Sequence, residues 1–298
     1  MAVAAHTAPV HVVGASGRSG AALCRSLLAD GVPFVPVVRD PGRWASTGLP
    51  GAPAVADLAD PAALRAALGR ARRVASCAHA RFAPAILAAA EAAGCFVFLG
   101  STRKFTRWPD AHGRGVLAGE NALRASGRPG VMLHPTMIYG AEGEDNVQRL
   151  AGLLRRLPVV PLPGGGRSLV QPIHQSDVTR AVRAALDAAW SGPEAVVIAG
   201  PEAVSYAGFV RAVARAAGLP APRILPVPAG PLLLAAPLTR WLPGVPGVRG
   251  SEIRRLLEDK AFGIEPMRRM LGVDPIPLER GLALTFRSHP PVPPGRRR

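Results

Sequence analysis

The chain has 298 residues, of which 48% are hydrophobic, and this length and composition allow one large domain or a core with a smaller appendage. Its formal net charge of +16 comes almost entirely from arginines spread along the chain, since Lys104 and Lys260 are the two lysines. Without a basic stripe interleaved with aromatics we expect no specific nucleic-acid binding, and the three cysteines lack the spacing of a disulfide framework or a zinc site.

The membrane and secretory patterns are also missing from the sequence. No apolar run approaches the roughly 18 residues that a membrane span needs. The first residues lack a basic region followed by a long apolar one, which predicts a cytoplasmic location.

Short apolar runs alternate with helical patterns through the first half. The β-branched run 10–13 predicts a first strand, which ends at a glycine turn before a helix over 21–28. Further strands are predicted over 33–39, 54–56, 73–77 and 95–99, and helices over 61–68 and 83–93. This alternation, with nearly continuous apolar strands, predicts an α/β fold in which a doubly wound parallel sheet of the Rossmann type is covered by helices on both faces.

The second half has a looser pattern. A loop over 101–114 precedes a predicted helix over 116–126, a strand over 131–134 and a turn over 135–140. Later helices are predicted over 146–157, 175–189, 206–217, 251–257 and 266–271, with a strand over 195–199. We therefore predict a core over 1–140 with contributions from about 165–200, a smaller, partly interleaved C-terminal cap over 141–289, and a disordered tail over 290–298. The expected assembly is a monomer or a homodimer.

A glycine-rich turn lies directly between the first strand and the first helix. Its sequence is Gly14-Ala15-Ser16-Gly17-Arg18-Ser19-Gly20, with a glycine at every third position. Glycines let such a turn bend sharply and let backbone N–H groups approach a pyrophosphate, while the helix N-terminus adds its positive dipole end. The turn therefore predicts a dinucleotide-binding site.

The glycine turn and several other segments resemble those of the short-chain dehydrogenase/reductase superfamily. The resemblance is to its extended or atypical branch, the NAD(P)-dependent epimerase/dehydratase-like proteins. The segments are Ala56-Asp57-Leu58, Leu99-Gly100-Ser101-Thr102, the stretch from His134 to Gly140, Pro172-Ile173-His174 with Asp177-Val178, and Glu258-Asp259-Lys260. The resemblance implies a nicotinamide cofactor and a small-molecule substrate bound by the cap. It also implies a set of cofactor-binding residues: Gly14, Ser16, Gly17, Arg18, Ser19, Gly20, Arg39, Asp57, Leu58, Cys77, Ala78, Ser101 and Pro135.

The choice of cofactor depends on the end of the second strand, where Arg39 is followed by Asp40. An arginine there pairs with the 2′-phosphate of NADP, whereas an acidic side chain accepts from the 2′-hydroxyl of NAD. We favour Arg39 and NADP, because Asp40-Pro41 more naturally begins a turn, and NAD stays possible. Arg18 in the glycine turn is a second candidate cation.

The catalytic tyrosine and lysine of the superfamily are missing from this sequence. Tyr139 and Tyr206 are the two tyrosines, and neither is followed by a lysine four positions later. If Glu120 matches the family's glutamate, the tyrosine position holds His112 and the lysine position holds Val116. The candidate catalytic residues are therefore Ser101, Lys104, His112 and Tyr139, with His112 as a possible proton donor.

Two functions stay open at this point. The first is a reductase or epimerase-like enzyme acting on a lipid, an isoprenoid or a nucleotide sugar, and the alternative is a non-catalytic NAD(P)H-sensing regulator or assembly factor. The acidic residues Glu142, Glu144 and Asp145 are interpreted as a solvated loop or helix start rather than a metal site, because no histidine or cysteine of matching spacing accompanies them.

Overall fold

The computed structural model describes residues 8–140, 146–235 and 250–288. The strands are β1 (Val10–Val13), β2 (Phe34–Val38), β3 (Ala54–Val55), β4 (Arg73–Ser76), β5 (Cys95–Leu99), β6 (Gly130–Pro135), β7 (Ile138–Tyr139), β8 (Val159–Pro163), β9 (Leu169–Val170), β10 (Ile173–His174), β11 (Pro193–Ile198), β12 (Val204–Ser205) and β13 (Arg223–Val227). The helices are α1 (Arg18–Ala29), α2 (Pro41–Ala45), α3 (Pro61–Leu68), α4 (Ala83–Ala89), α5 (Ala111–Ser126), α6 (Asn146–Leu154), α7 (Gln175–Asp187), α8 (Tyr206–Ala216), α9 (Ala229–Ala235), α10 (Gly250–Arg255), α11 (Glu265–Leu271) and α12 (Leu278–Ser288).

A seven-stranded sheet with every strand pair parallel forms the centre of the molecule, in the order β11-β6-β5-β4-β1-β2-β3. The chain order reverses at β1, which has β2 on one side and β4 on the other. Ligands of such sheets bind in the crevice at the carboxyl ends of the strands beside this reversal. The predicted α/β fold with a doubly wound parallel sheet is confirmed.

Alternating side chains of the strands build two cores, one on each face of the sheet. Val12 and Val97 point to the face covered by α1, α7 and α11. Val13, Phe96 and Phe98 point to the other face, which is covered by α3, α4 and α5. Because both faces are buried, the strands read as continuous apolar runs, as the sequence pattern indicated.

Late segments of the chain also contribute to the central sheet. Strand β11 pairs with β6 in parallel from Pro193 opposite Gly130 to Ile198 opposite Pro135, and α11 packs against it. A third core joins α6, α8 and α12, and the short strand pairs β7–β10, β8–β13 and β9–β12 connect these helices.

Two helix boundaries differ from the sequence prediction for identifiable reasons. Helix α4 ends at Ala89 rather than at 93, because the guanidinium of Arg128 donates to four carbonyls, those of Leu87, Ala90, Glu91 and Ala93, and so ends the alanine-rich run. Helix α5 begins at Ala111 rather than at 116, because the side chain of Asp110 accepts from the N–H of Gly113 and caps it.

Other elements were absent from the prediction: α2, α9, α12 and the β8–β13 pair. The predicted tail over 290–298 lies outside the described residues.

Candidate cofactor and active site

The glycine turn folds tightly against the start of α1. Gly14 adopts a φ of +75°, a conformation that other residues rarely take. A Cβ at Gly20 would lie 2.2 Å from the carbonyl oxygen of Gly14, so only glycine permits this contact between turn and helix. Gly17 is the N-cap residue that precedes α1, and it provides no side-chain cap. The first N–H groups of α1 thus face the turn, ready for an anionic group.

A cleft of about 300 Å³ opens beside this turn at the carboxyl edge of the sheet. Eight of the residues predicted to bind cofactor line it: Gly14, Ser16, Gly17, Arg39, Asp57, Leu58, Cys77 and Ala78. The other predicted cofactor residues, Arg18, Ser19, Gly20, Ser101 and Pro135, are not part of its lining. The hydroxyl of Ser19 instead donates to Gln175 Oε1 at 2.9 Å, which ties α1 to α7.

Positive charge is concentrated at the end of the cleft formed by β2 and β4. Arg43, in the first turn of α2, and Arg81, just beyond β4, line the cleft together with Arg39. The sequence prediction missed Arg43 and Arg81, although each follows a strand of the sheet by a few residues. The Arg81 guanidinium lies 4.6 Å from the centre of the Phe82 ring, which holds it at the wall.

The carboxylates of both acidic residues in this region accept hydrogen bonds from nearby backbone N–H groups. Asp40 Oδ1 accepts from the N–H groups of Gly42 and Arg43, at 2.9 and 3.2 Å, and so caps α2. Asp57 Oδ1 accepts from the N–H of Ala59 at 2.9 Å. The carboxylates therefore shape the two turns that follow β2 and β3.

Cys77 lies at the floor of the cleft, at the end of β4. Burial raises the pKa of its thiol to about 12, so the sulfur is protonated at neutral pH. The residue contributes an apolar wall rather than a nucleophile.

His112 lies in the first turn of α5, half-buried beside a second histidine that sequence reasoning missed. The ring centres of His112 and His79 are 4.4 Å apart at an interplanar angle of 75°. Burial, followed by the charge of Arg103, lowers the pKa of His112 below its ordinary value. Neither histidine lines the cleft, but His79 lies in the turn after β4 between Ala78 and Arg81, which do.

Lys104 is held in a buried charged cluster behind the end of β5. Its ammonium group pairs with Glu120 of α5, and the side chains are 9% and 5% exposed. His134 Nε2 lies 2.8 Å from the same carboxylate, and Arg124 reaches it from the surface at 2.9 Å. Lys104 thus joins the loop after β5 to α5.

Burial and the neighbouring charges determine the protonation states of Glu120 and His134 in this cluster. Burial raises the pKa of Glu120, but the hydrogen bond from Lys104 and the neighbouring positive charges outweigh burial and hold that pKa below its ordinary value. Burial, followed by the charge of Lys104, lowers the pKa of His134 to about 4. His134 Nδ1 accepts from the N–H of Ser101 at 3.3 Å, so the neutral ring carries its proton on Nε2, facing Glu120.

Ser101 and Tyr139 have different surroundings. Ser101 Oγ accepts from the N–H of Arg103 at 3.1 Å and caps a short 3-10 turn over Thr102–Phe105. Tyr139 is 1% exposed and belongs to the third core, where its hydroxyl donates to the carbonyl of Leu278 at 3.5 Å. Burial raises the pKa of Tyr139. The structure therefore brings Ser101, Lys104 and His112 to one edge of the sheet and places the Tyr139 hydroxyl against the segment that begins α12.

Pro135 ends β6 at the same edge of the sheet. Its carbonyl accepts from the hydroxyl of Thr102 at 3.2 Å, which joins the loop after β5 to the neighbouring strand.

Within 8–140, 146–235 and 250–288, no three His, Cys, Asp or Glu side chains come together to hold a metal ion. The acidic residues Glu142, Glu144 and Asp145 lie outside the described residues. None of the helices in the described part of the chain is both long and apolar enough to cross a bilayer.

Comparison with known proteins agrees with this geometry. Residues 14–150 match the family described as NAD(P)H-binding. No curated protein has significant sequence similarity to the chain.

Solved structures share the fold over nearly the whole chain. An NADPH-dependent quinone oxidoreductase from Escherichia coli, complexed with NADPH, is similar at 18% identity and a TM-score of 0.71, covering 93% of this chain and 99% of its own. A UDP-glucuronic acid 4-epimerase from Bacillus cereus, in complex with UDP-glucuronic acid and NAD, has 18% identity and a TM-score of 0.71, covering 94% and 98%. A short-chain dehydrogenase/reductase superfamily protein from Agrobacterium tumefaciens with bound NAD has 16% identity and a TM-score of 0.68, covering 94% and 97%.

The glycine turn and the cleft both lie within the matched residues 14–150. The fold of this chain is that of solved structures whose ligands include NADPH and NAD.

Proposed function

We propose that this chain is an NADP(H)-dependent oxidoreductase that acts on a carbonyl or hydroxyl group of a small molecule. The charge of the cleft carries the proposal: Arg39, Arg43 and Arg81 line it, and the carboxylate of Asp40 is used as a helix cap. Three guanidinium groups at the ribose end suit a 2′-phosphate better than a 2′-hydroxyl.

The chain has a fitting cradle for the pyrophosphate as well. The glycine turn leaves no room for a Cβ at Gly20, and α1 begins at Arg18, after Gly17, which provides no side-chain cap. Backbone N–H groups of this turn would hold the pyrophosphate, and Arg39 would pair with the 2′-phosphate. When bound, the cofactor supplies or accepts a hydride.

His112 is the proton donor and acceptor in this proposal. If Glu120 matches the family's glutamate, His112 takes the position of the family's tyrosine, whereas Val116 at the lysine position is 1% exposed and carries no charge. As an imidazolium, His112 gives a proton to the substrate oxygen during reduction, and as a neutral ring it takes one during oxidation. Ser101 aligns the loop, and Lys104 supports it through Glu120.

Cofactor choice is tested by Arg39→Ala, with Arg65→Ala as the matched control. Arg65 is an exposed arginine of α3 that does not line the cleft. Arg39→Ala should weaken NADPH binding by about 1.5–3 kcal/mol, roughly 10- to 150-fold, and leave NADH binding nearly unchanged. Arg65→Ala should leave both unchanged in calorimetry. Equal losses for both cofactors in Arg39→Ala would defeat the assignment to NADP.

Turnover separates the enzyme from the sensor that the sequence left open. Carbonyl, enone and nucleotide-sugar substrates are incubated with NADPH, following absorbance for net reduction and chromatography for epimerisation. His112→Ala should lower turnover by about 10²-fold or more while NADPH affinity is preserved. Efficient turnover by His112→Ala would remove the histidine from the mechanism, and NADPH binding without any turnover would favour the sensor.

A further inference from the structure

Three features around the His79–His112 pair remain unused by the proposed function. The rings are in edge-to-face contact at 4.4 Å. The Nδ1 atom of His79 accepts from the N–H of Arg81 at 3.0 Å. The position one turn after His112 is Gly115, where a Cβ would lie 2.8 Å from Cε1 of His79. The His79 ring is therefore held from three sides, by α5, by its own turn and by His112.

The hydrogen bond at His79 Nδ1 makes the two rings unequal. Because this nitrogen accepts a backbone N–H, the neutral His79 ring carries its proton on Nε2. A second proton on His79 would have to enter at Nδ1 and break the bond from Arg81. Two charged rings at this separation would also repel each other.

We infer that His79 and His112 form a pair that takes up one proton, and that His79 directs this proton to His112. His79 is thus a positioning residue: it contacts the His112 ring and leaves His112 as the group that charges first. The inference rests on the proposed role of His112 in proton transfer, but the order in which the rings titrate is independent of turnover.

The charges around the pair agree with this order. Burial lowers the pKa of His79, and so do the charges of His112, Arg81 and Arg103. For His112, burial and the charges of Arg103 and Arg255 lower the pKa, whereas the neighbouring carboxylate of Asp110 raises it. The charged groups facing the pair come from the turn after β4, the turn after β5, the cap of α5, and α10: Arg81, Arg103, Asp110 and Arg255.

Imidazole NMR of ¹⁵N-histidine-labelled protein tests the pair directly. In the parent protein, His112 should take up its proton at a higher pH than His79, and the neutral His79 should show the Nε2–H tautomer. His112→Ala should move the pKa of His79 upward, because the repelling charge is gone. If His79 titrates first, or its pKa is unchanged in His112→Ala, the pair does not exist.

Gly115→Ala probes the same geometry from the helix side. Alanine favours helix over glycine, so the helix itself tolerates the change, but the new methyl group pushes against the His79 ring. The pKa of His79 should therefore change, because the methyl group displaces its ring from the contact with His112. The control is Gly152→Ala on α6, where a Cβ meets nothing within 4 Å, and it should leave both titrations unchanged. An unmoved His79 in a folded Gly115→Ala protein would contradict the inference.

A kinetic test uses His79→Asn, because an asparagine oxygen can still accept from the N–H of Arg81. Loss of the ring should lower kcat about tenfold and shift the pH profile of reduction, with KM for NADPH unchanged. An increase in KM with kcat unchanged would overturn the positioning role. If the titrations show a coupled pair but His112→Ala keeps its turnover, His112 is not the proton donor, and the inference about the pair still holds. If the two rings titrate independently, the inference about the pair is wrong, whatever the turnover of His112→Ala.

Discussion

Removing the carboxylate of Glu120 should destabilise the fold far more than removing one of its surface partners. In Glu120→Ala the ammonium group of Lys104, on a side chain that is 9% exposed, loses its carboxylate, and the buried His134 ring loses the group that faces Nε2. Breaking a buried ion pair by deleting one partner costs about 3–5 kcal/mol, since a buried charge remains uncompensated.

Arg124→Ala is the matched control, because its guanidinium pairs with the same carboxylate from a side chain that is 60% exposed. An exposed ion pair contributes about 0–1 kcal/mol. Urea unfolding gives both free energies, and a third variant, Lys104→Met with Glu120→Leu, should recover most of the loss by replacing the buried pair with apolar side chains.

The reasoning would be refuted if Glu120→Ala cost less than about 1 kcal/mol, or if Arg124→Ala cost as much. Either result would mean that the Lys104 ammonium is hydrated, and Lys104 would again be a candidate for contact with substrate.

Three further changes test the turn and the buried histidine. Gly20→Ala should lose cofactor binding and about 1–3 kcal/mol of stability, because its methyl group would collide with the Gly14 carbonyl. Thermal unfolding with and without NADPH measures both effects. Normal NADPH binding by this variant would contradict the tight packing of the turn. Gly17→Asp should abolish NADPH binding in calorimetry through repulsion of the pyrophosphate, and unchanged affinity would remove the site from the turn. The pKa of His134 is lowered to about 4 in the folded chain, so the unfolded chain binds its proton first, and the free energy of unfolding should rise with pH between about 4 and 6.5, by up to about 1.4 kcal/mol per unit. This slope should shrink in His134→Asn, and identical slopes in the two proteins would contradict the assignment.

The sheet and the phosphate turn were readable from the sequence because their signals are local. A β-branched run followed by Gly14, Gly17 and Gly20 specifies strand, turn and helix within one short segment, and both buried faces keep the strands apolar. Helix α2 was not predicted from the sequence, because it has only five residues, one of them a glycine, and Asp40 was interpreted only as the start of a turn.

The site was less readable because its parts come from different strands. Arg43 and Arg81 are indistinguishable in sequence from the many other arginines, and only the parallel sheet brings them to the cleft with Arg39. His79 and His112 are 33 positions apart, and Gly115 leaves the space that the His79 ring takes beside α5. Closeness of this kind is set by tertiary packing.

The central claim is that the cleft selects NADP(H) through its arginines, and the affinities of the parent protein for NADPH and NADH test it most directly. Calorimetry at one fixed ionic strength should show NADPH binding at least about tenfold more tightly, since a charge-assisted contact to the 2′-phosphate contributes about 1.5 kcal/mol or more. Equal affinities, or tighter binding of NADH, would contradict the claim and assign the ribose to Asp40 or Asp57 instead.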